Sequence, residues 1–443
     1  GRCMNKVMVK DGAVVRQKTD DTHEDSPDYP QQRGCVRGKA QQQQCFGADR
    51  LKYPMKRAKE DRGKNAFERI SWEEAYDIIE REMKAVIEKY GNEAIWVTQG
   101  TGRDINGYGP LMAQYLGTPN YGTGFLSGIA CYGPRIFSTA LKSGGLFVCD
   151  YSQFFPDRYD DPRWEAPEYI LVWGNNPVVA NSDGTLGHWV VESMKRGSKL
   201  MVMDPKLTWV AGKANVWFQV RPGTDAALAL AIGHVMVEEG LYDKDFVECW
   251  CYGFDELAER CKDYPPEKAA EIAGIDADDI RAAARAYASG NPSTIQWGLK
   301  VDQTVCGIPL AQALLSLGAI CGDIDVPGGM MIPRCAYDIP DSYGCGMWNL
   351  SDEMLGKMLG VDTSPLHALG FDPTANGDTV LLAIETGEPY PIRMLFIQST
   401  NPIANMAADA PRVYNAMRSV DYNVVVDVFM TPTAVACADI VLP

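Results

Sequence analysis

Across residues 167–300, short apolar runs alternate with segments of helical period, and few folds accept that rhythm. The runs "EYILVWG", "KLMVMDP", "VWFQVRPG" and "STIQWGLK" have strand length. Helical segments fall between them: residues 185–195, "DAALALAIGHVMVEEG" with Thr224 placed to cap it, and "DADDIRAAARAYASG". A helix between two strands carries the chain back to the same end of the sheet, so the strands pair in parallel with helices on the faces. The expected fold class is therefore α/β, doubly wound. In such sheets ligands sit beyond the carboxyl ends of the strands, which makes the polar residues after each strand the ones to read.

The flanking regions carry related signals. "VMVKDGAVVRQ" predicts a hairpin turning at Asp11 and Gly12, and residues 19–44 show no hydrophobic period. "ISWEEAYDIIEREMKAVIEKYG" predicts a helix with a capping box of Ser71 and Glu74. Ala75, Ile79, Met83, Val86 and Ile87 trace its apolar face, and Gly91 stops it. The strand "AIWVTQG" follows, whereas no helical pattern is evident behind "GTGRDINGYG". Residues 331–376 lose the pattern, and a second run then brings the strands "RMLFIQS", "YNVVVDVFM" and "ADIVLP" with a helix near residues 410–417.

A chain of 443 residues exceeds what one core usually organises, so two or three domains are expected. Apolar runs such as "GIPLAQALLSLGAIC", which contains Gln312 and Ser316, stay short of the ~18 uninterrupted residues that a membrane span needs. A net charge of −16 opposes nucleic acid as a partner and reads as a solvated acidic surface. Thirteen cysteines contain no C-x-x-C pair, and Cys249 and Cys251 are spaced wrongly for zinc. Most cysteines therefore read as small buried hydrophobes. With four histidines (His23, His188, His234, His367) a His-rich metal site is not expected.

Four strand ends share one chemistry. They are "WGNNP" (Gly174, Asn175, Asn176), "DPK" (Asp204), "RPGTD" (Arg221, Gly223, Thr224, Asp225) and "QSTNP" (Ser399, Asn401, Pro402). Glycine lets a backbone approach a ligand, Asp suits the N–H groups of a purine or pterin, and Arg suits a pyrophosphate. Four such ends predict a large nucleotide-bearing cofactor. Neither G-x-G-x-x-G nor a P-loop is present.

Together these residues resemble the molybdopterin oxidoreductases of the dimethyl sulfoxide reductase family. The likeness is collinear over the chain: "GRC", "CVRGKA", "DRLKYPMKR", "RISWEEAYDII", "GTPN", "WGNNP", "RPGTDAAL", "QWG", "GDIDVPGG", "STNP" and "ADIVLP". Between 173 and 331 it is closest to the acetylene hydratase and catechol dehydroxylase branch.

The resemblance implies a domain plan: a small β-rich iron–sulfur domain over 1–60, an α/β domain over 61–165 with 345–443, and a Rossmann-like domain over 166–344. It implies a [4Fe–4S] cluster with Cys3 as third and Cys35 as fourth ligand, the first two preceding Gly1. Arg37 would lie between cluster and pterin. Cys131 would ligate molybdenum, or tungsten, with Ser127 as the alternative. Two molybdopterin guanine dinucleotides would divide the loops. Gly174, Asn175, Asn176, Asp204, Arg221, Gly223, Thr224, Asp225, Trp297 and Gly298 would hold one; Ser399, Asn401, Pro402 and Asp427 with Thr431 to Thr433 would approach the other. Arg103, Asn106, Tyr108 and His188 are the implied substrate-side candidates.

A C-terminal barrel domain is expected beyond Pro443, so the chain reads as a fragment that is inactive alone. Its expected function is to pass electrons to a metal that reduces or dehydroxylates a small substrate. A non-redox hydratase or transhydroxylase is the second expectation, and a pterin-free relative of a complex I iron–sulfur subunit the third. An iron–sulfur electron-transfer subunit and a membrane anchor subunit are implied partners. Residence in the cytoplasm and export by the twin-arginine route both stay open.

Overall fold

The computed structural model describes residues 5–29, 31, 36–100, 108–122, 133–145, 147–153, 155–180, 185–331, 350–364, 374–405 and 409–443. The chain is mixed α/β and divides into two compact units. One comprises residues 1–43 with 131–334, the other 44–130 with 335–443.

The first unit is organised by a four-stranded parallel sheet in the order Val216–Phe218, Lys199–Met203, Tyr169–Trp173, Ser293–Trp297. Its register places Phe218, Met203, Trp173 and Trp297 in one row, so all four carboxyl ends leave the sheet together. The strand residues are apolar on both faces because helices cover both. Asp225–Glu238 and Gly307–Ile320 are buried along much of their length, and Trp173, Leu228 and Leu314 are fully enclosed. On the opposite face Trp189 of the helix Thr185–Lys195 packs with Ile170 and Val202. In chain order the strands run 3-2-1-4, so the direction of winding reverses between Tyr169–Trp173 and Ser293–Trp297.

The N-terminal hairpin pairs Asn5–Lys10 with Ala13–Thr19 through Asp11 (φ 50°) and Gly12 (φ 77°), the left-handed pair that a two-residue turn requires. Two short helices, Val36–Lys39 and Gln41–Phe46, fall within or overlap the stretch that shows no hydrophobic period. Neither buries a side chain, so neither left a hydrophobic period to read.

The second unit holds a seven-stranded sheet. Five strands, Tyr121–Gly122, Ile95–Gln99, Met394–Gln398, Tyr422–Val426 and Ile440–Leu442, are parallel, and Met55–Lys56 and Glu68–Arg69 add an antiparallel edge. The parallel order is 2-1-3-4-5, reversing between Ile95–Gln99 and Met394–Gln398. The helix Trp72–Tyr90 buries Ala75 and Val86, packs Ile79, Met83 and Ile87 against the core, and ends at Gly91 (φ 88°). Half of the expected capping box forms: Ser71 Oγ accepts from Glu74 N at 3.0 Å. The Glu74 carboxylate instead accepts from Lys56 Nζ at 2.6 Å, because an ammonium on the neighbouring strand outcompetes a backbone N–H. A helix, Tyr108–Leu116, does follow "GTGRDINGYG", contrary to expectation; Gly109 and Pro110 in its first turn disguised it.

Three family-like motifs prove to be structural fasteners. Arg62 and Asp439 form an ion pair at 3% and 2% exposure, with Asn423 N also donating to Asp439 (2.8 Å). Arg57 donates to the carbonyls of Ala434, Val435 and Ala438, tying "DRLKYPMKR" to "ADIVLP". In the first unit Asp150 accepts from Ser152 N (2.8 Å) and Gly328 N (2.9 Å), clamping "GDIDVPGG". Within that motif Asp323 accepts from Ser293 N at 3.1 Å, while its second oxygen is buried without a partner among the described residues. Burial pushes its carboxyl up to about 8.

Two outcomes follow. Asp439→Ala strands the Arg62 charge and should cost about 3–5 kcal/mol of unfolding free energy in a denaturant titration. Asp323 is protonated in the folded chain over a window where the unfolded chain has lost the proton, from near 4 to about 8. Its contribution is thus complete at low pH and lost as pH rises through that window. Stability of the native sequence relative to Asp323→Asn should fall by about 1.4 kcal/mol per pH unit there, with no such slope between matched variants elsewhere.

Candidate functional site

Each sheet reverses its winding once, and at each reversal two strand-end loops diverge and leave a crevice. In the first unit the loops after Trp173 and Trp297 are in backbone contact. Gly298 N donates to Trp173 O (3.0 Å), Lys300 N to Gly174 O (3.3 Å), and Gly174 N to Met203 O (3.3 Å). Gly174 takes φ 60°, and a Cβ there would lie 2.8 Å from Lys300 Cβ. A Cβ on Gly298 would lie 2.5 Å from Asn175 Cβ and 2.7 Å from Gly174 O. Only glycine fits either place.

The polar groups around this crevice divide into committed and uncommitted ones. Asp225 is 4% exposed at the first turn of its helix; Oδ1 accepts from Trp173 Nε1 (3.0 Å), and Oδ2 is buried with no partner among the described residues. Asn176 Oδ1 is likewise buried and unpartnered, while its carbonyl takes the N–H groups of Val179 and Ala180. Asn175 Nδ2 reaches Trp297 O at 3.5 Å. Asp204 Oδ1 closes a turn onto Lys206 N (2.8 Å). Arg221 commits Nη1 to the carbonyls of Glu271 (3.3 Å) and Ile272 (2.8 Å). Gly223 (φ 90°) faces open space. Thr224 stands at the N-cap but does not cap: its hydroxyl donates to Arg221 O at 2.7 Å, the nearer acceptor. Trp297 is 5% exposed in the core, so what it offers the crevice is its carbonyl.

A buried ion pair beneath this crevice went unseen in the sequence. Arg135 donates Nε to Asp302 Oδ2 (2.8 Å), its backbone N to Oδ1 (3.1 Å), and Nη1 to Trp297 O (3.4 Å). Arg135 is 7% and Asp302 3% exposed. "GPR" and "KVD" match no spacing rule, so only the fold brings them together.

The second unit repeats the arrangement. Gly100 N donates to Gln398 O (2.9 Å), and a Cβ on Gly100 would overlap the carbonyl oxygen of Ser399, itself at φ 49°. Gly100 was also missed, although "TQG" ends a strand as "QWG" does. Asn401 Oδ1 accepts from Thr433 N (3.2 Å) and Thr433 Oγ1 (2.6 Å), locking "STNP" to "TPT". Pro402 is buried and opens the short helix Pro402–Asn405. Asp427 Oδ1 accepts from Phe429 N (3.2 Å), and burial raises its carboxyl above the usual range.

The remaining candidates fall on helices or lie outside the described residues; Tyr108 adjoins Gly109, whose N–H donates to Gln99 Oε1 (3.0 Å) at the end of the strand that precedes Gly100. Arg37 is exposed on Val36–Lys39, and Tyr108 is 61% exposed at its helix start. His188 is half-buried on Thr185–Lys195. Cys3, Cys35, Arg103, Asn106, Ser127 and Cys131 lie outside the described residues. Among the described residues no group of three or more His, Cys, Asp or Glu is placed to hold a metal. The residues present do fit a nucleotide-bearing group: buried acceptors without donors among the described residues, beside glycines that let the two loops leave the sheet in contact.

The glycine contacts are testable. Gly298→Ala and Gly100→Ala should each destabilise by about 1–3 kcal/mol through backbone displacement. Gly212→Ala, where a Cβ meets nothing within 4 Å, should leave the melting temperature nearly unchanged.

Known proteins share this plan. The solved structure of acetylene hydratase from Pelobacter acetylenicus matches with a TM-score of 0.83 and 30% identity, covering 100% of this chain and 61% of that one. Acetylene hydratase of Syntrophotalea acetylenica is 30% identical over 479 residues, covering 100% of this chain and 61% of its own length. Dimethyl sulfoxide reductase DmsA of Escherichia coli (strain K12) is 30% identical over 477 residues, at 100% and 56%. The chain thus spans a little over half the length of these relatives. Residues 50–443 match the molybdopterin oxidoreductase family as a whole, and the chain belongs to that family.

Proposed function

We propose that this chain carries the cofactor-binding part of a molybdenum or tungsten enzyme that takes a bis(molybdopterin guanine dinucleotide). The observation that carries the reading is the pair of buried acceptors without a partner among the described residues, Asp225 Oδ2 and Asn176 Oδ1, at a switch point where glycines bring the two loops into contact. Asp225, Asn176, Gly174 and Gly298 would hold one guanine dinucleotide half; Gly100, Ser399 and Asp427 would approach the other. A buried carboxylate oxygen without a donor costs stability unless a ligand supplies N–H groups, and a guanine edge does so.

When bound, the cofactor supplies a metal that serves as Lewis acid and two-electron store. The chain's own part is to fix the nucleotides and exclude water from the strand ends. Cys131 is our choice of protein ligand to the metal. Cys3 and Cys35 are our choice of cluster ligands, with Arg37 beside them to stabilise an added electron. We take reduction or dehydroxylation of a small substrate as the reaction, with an iron–sulfur subunit and a membrane anchor as partners.

The likeness to acetylene hydratase supports a second reading, hydration without net electron transfer. Full-length protein purified without oxygen decides between them. Molybdenum or tungsten near one per chain, with pterin and guanine nucleotide near two, is expected, and turnover should require a reduced electron donor. Turnover without any donor selects the hydratase reading; absence of both metals and of pterin sinks both. Cys131→Ala should abolish turnover, and unchanged activity would remove it as the metal ligand.

A further inference from the structure

The switch point of the first unit holds a cation that the cofactor loops as read from sequence leave out. Lys300 follows Gly298 by two residues and is half-buried. Its Cβ and Cγ would lie 2.8 and 3.4 Å from a Cβ on Gly174, so its stem runs over the glycine of the facing loop. Its backbone is pinned there by the bond to Gly174 O and by Asp302 two residues on, anchored to Arg135. No carboxylate or carbonyl among the described residues accepts from its ammonium. The neighbouring cations differ: Arg135 is consumed by Asp302, Arg221 gives Nη1 to Glu271 and Ile272, and Lys206 is exposed beyond the next strand.

We propose that Lys300 binds an anionic phosphate of the nucleotide-bearing cofactor at this crevice; the inference rests on reading the crevice as the cofactor site. The chemistry favours a nucleotide over a simple anion. Asp225 and Asn176 present bare acceptor oxygens, which repel an anion but suit N–H groups of a heterocycle. One ligand satisfies acceptors and cation together only if it carries an N–H-rich ring and a negative group. Lysine acts on phosphate as a compact point charge and needs no planar match.

The test uses the full-length, metal-loaded protein and measures guanosine monophosphate released by acid hydrolysis per folded chain, after dialysis at increasing sodium chloride. Lys300→Met should weaken retention on the order of tenfold, the loss of one charge-assisted contact, with the melting temperature of cofactor-free protein unchanged. Lys300→Arg should restore it. Asp225→Asn serves as control for the crevice. If Lys300→Met retains nucleotide like the native protein at every salt concentration while Asp225→Asn loses it, the proposal is overturned and the crevice reading stands. If neither variant loses nucleotide, the crevice reading falls and the proposal with it. Equal losses in Lys300→Met and Lys300→Arg, with both melting temperatures lowered, would overturn the proposal and assign Lys300 to packing against Gly174.

Discussion

Backbone-to-backbone contact between diverging strand-end loops is the constraint on which the functional faces depend. In a parallel sheet the two strands at the winding reversal send their loops to opposite faces, and a crevice opens between them. If those loops carried ordinary side chains at their point of departure, Cβ atoms would pry them apart. Gly298 against Asn175, and Gly100 against Ser399, let the loops start in contact and diverge from a fixed point. The same solution occurs in both units, though one sheet has the order 3-2-1-4 and the other 2-1-3-4-5.

Fixing those points takes charge as well as glycine. Arg135 and Asp302 lie under the first crevice, and the pair reaches the Trp297 carbonyl from which the loop departs. Buried pairs of this sort contribute little net stability compared with apolar packing, but they tolerate few alternative geometries. The Arg62–Asp439 pair acts at the other end of the second sheet, joining the residues after Met55–Lys56 to the amino ends of Tyr422–Val426 and Ile440–Leu442. The rigid supports are thus distinct from the residues left free for a ligand, and Asp225, Asn176 and Lys300 belong to the second group.

The strands and helices were legible because their patterns are local. "EYILVWG" and "KLMVMDP" are too short and too uniformly apolar for anything but buried strands between turns, and Ser71 announced its helix. What escaped was decided by tertiary competition. Thr224 sits at a helix start yet spends its hydroxyl on Arg221 O; Glu74 abandons its capping box for Lys56; Gly109 and Pro110 concealed a helix. Among site residues, the glycines of the first crevice and Asp225 stood in recognisable strand-end phrases. Arg135, Asp302 and Lys300 did not, because their significance lies in partners far away in sequence. Conversely "DRLKYPMKR", "GDIDVPGG" and "ADIVLP", which carried the family resemblance, turn out to hold the sheets together.

Hydrogen exchange on full-length protein, with and without its cofactor, tests the central claim most directly. If the two crevices hold the guanine dinucleotides, backbone amides over 174–180, 298–303 and 399–405 gain protection when the cofactor is present, while the Arg62–Asp439 region does not change. Equal exchange of those loops in both states, with protection gained elsewhere, would contradict the account.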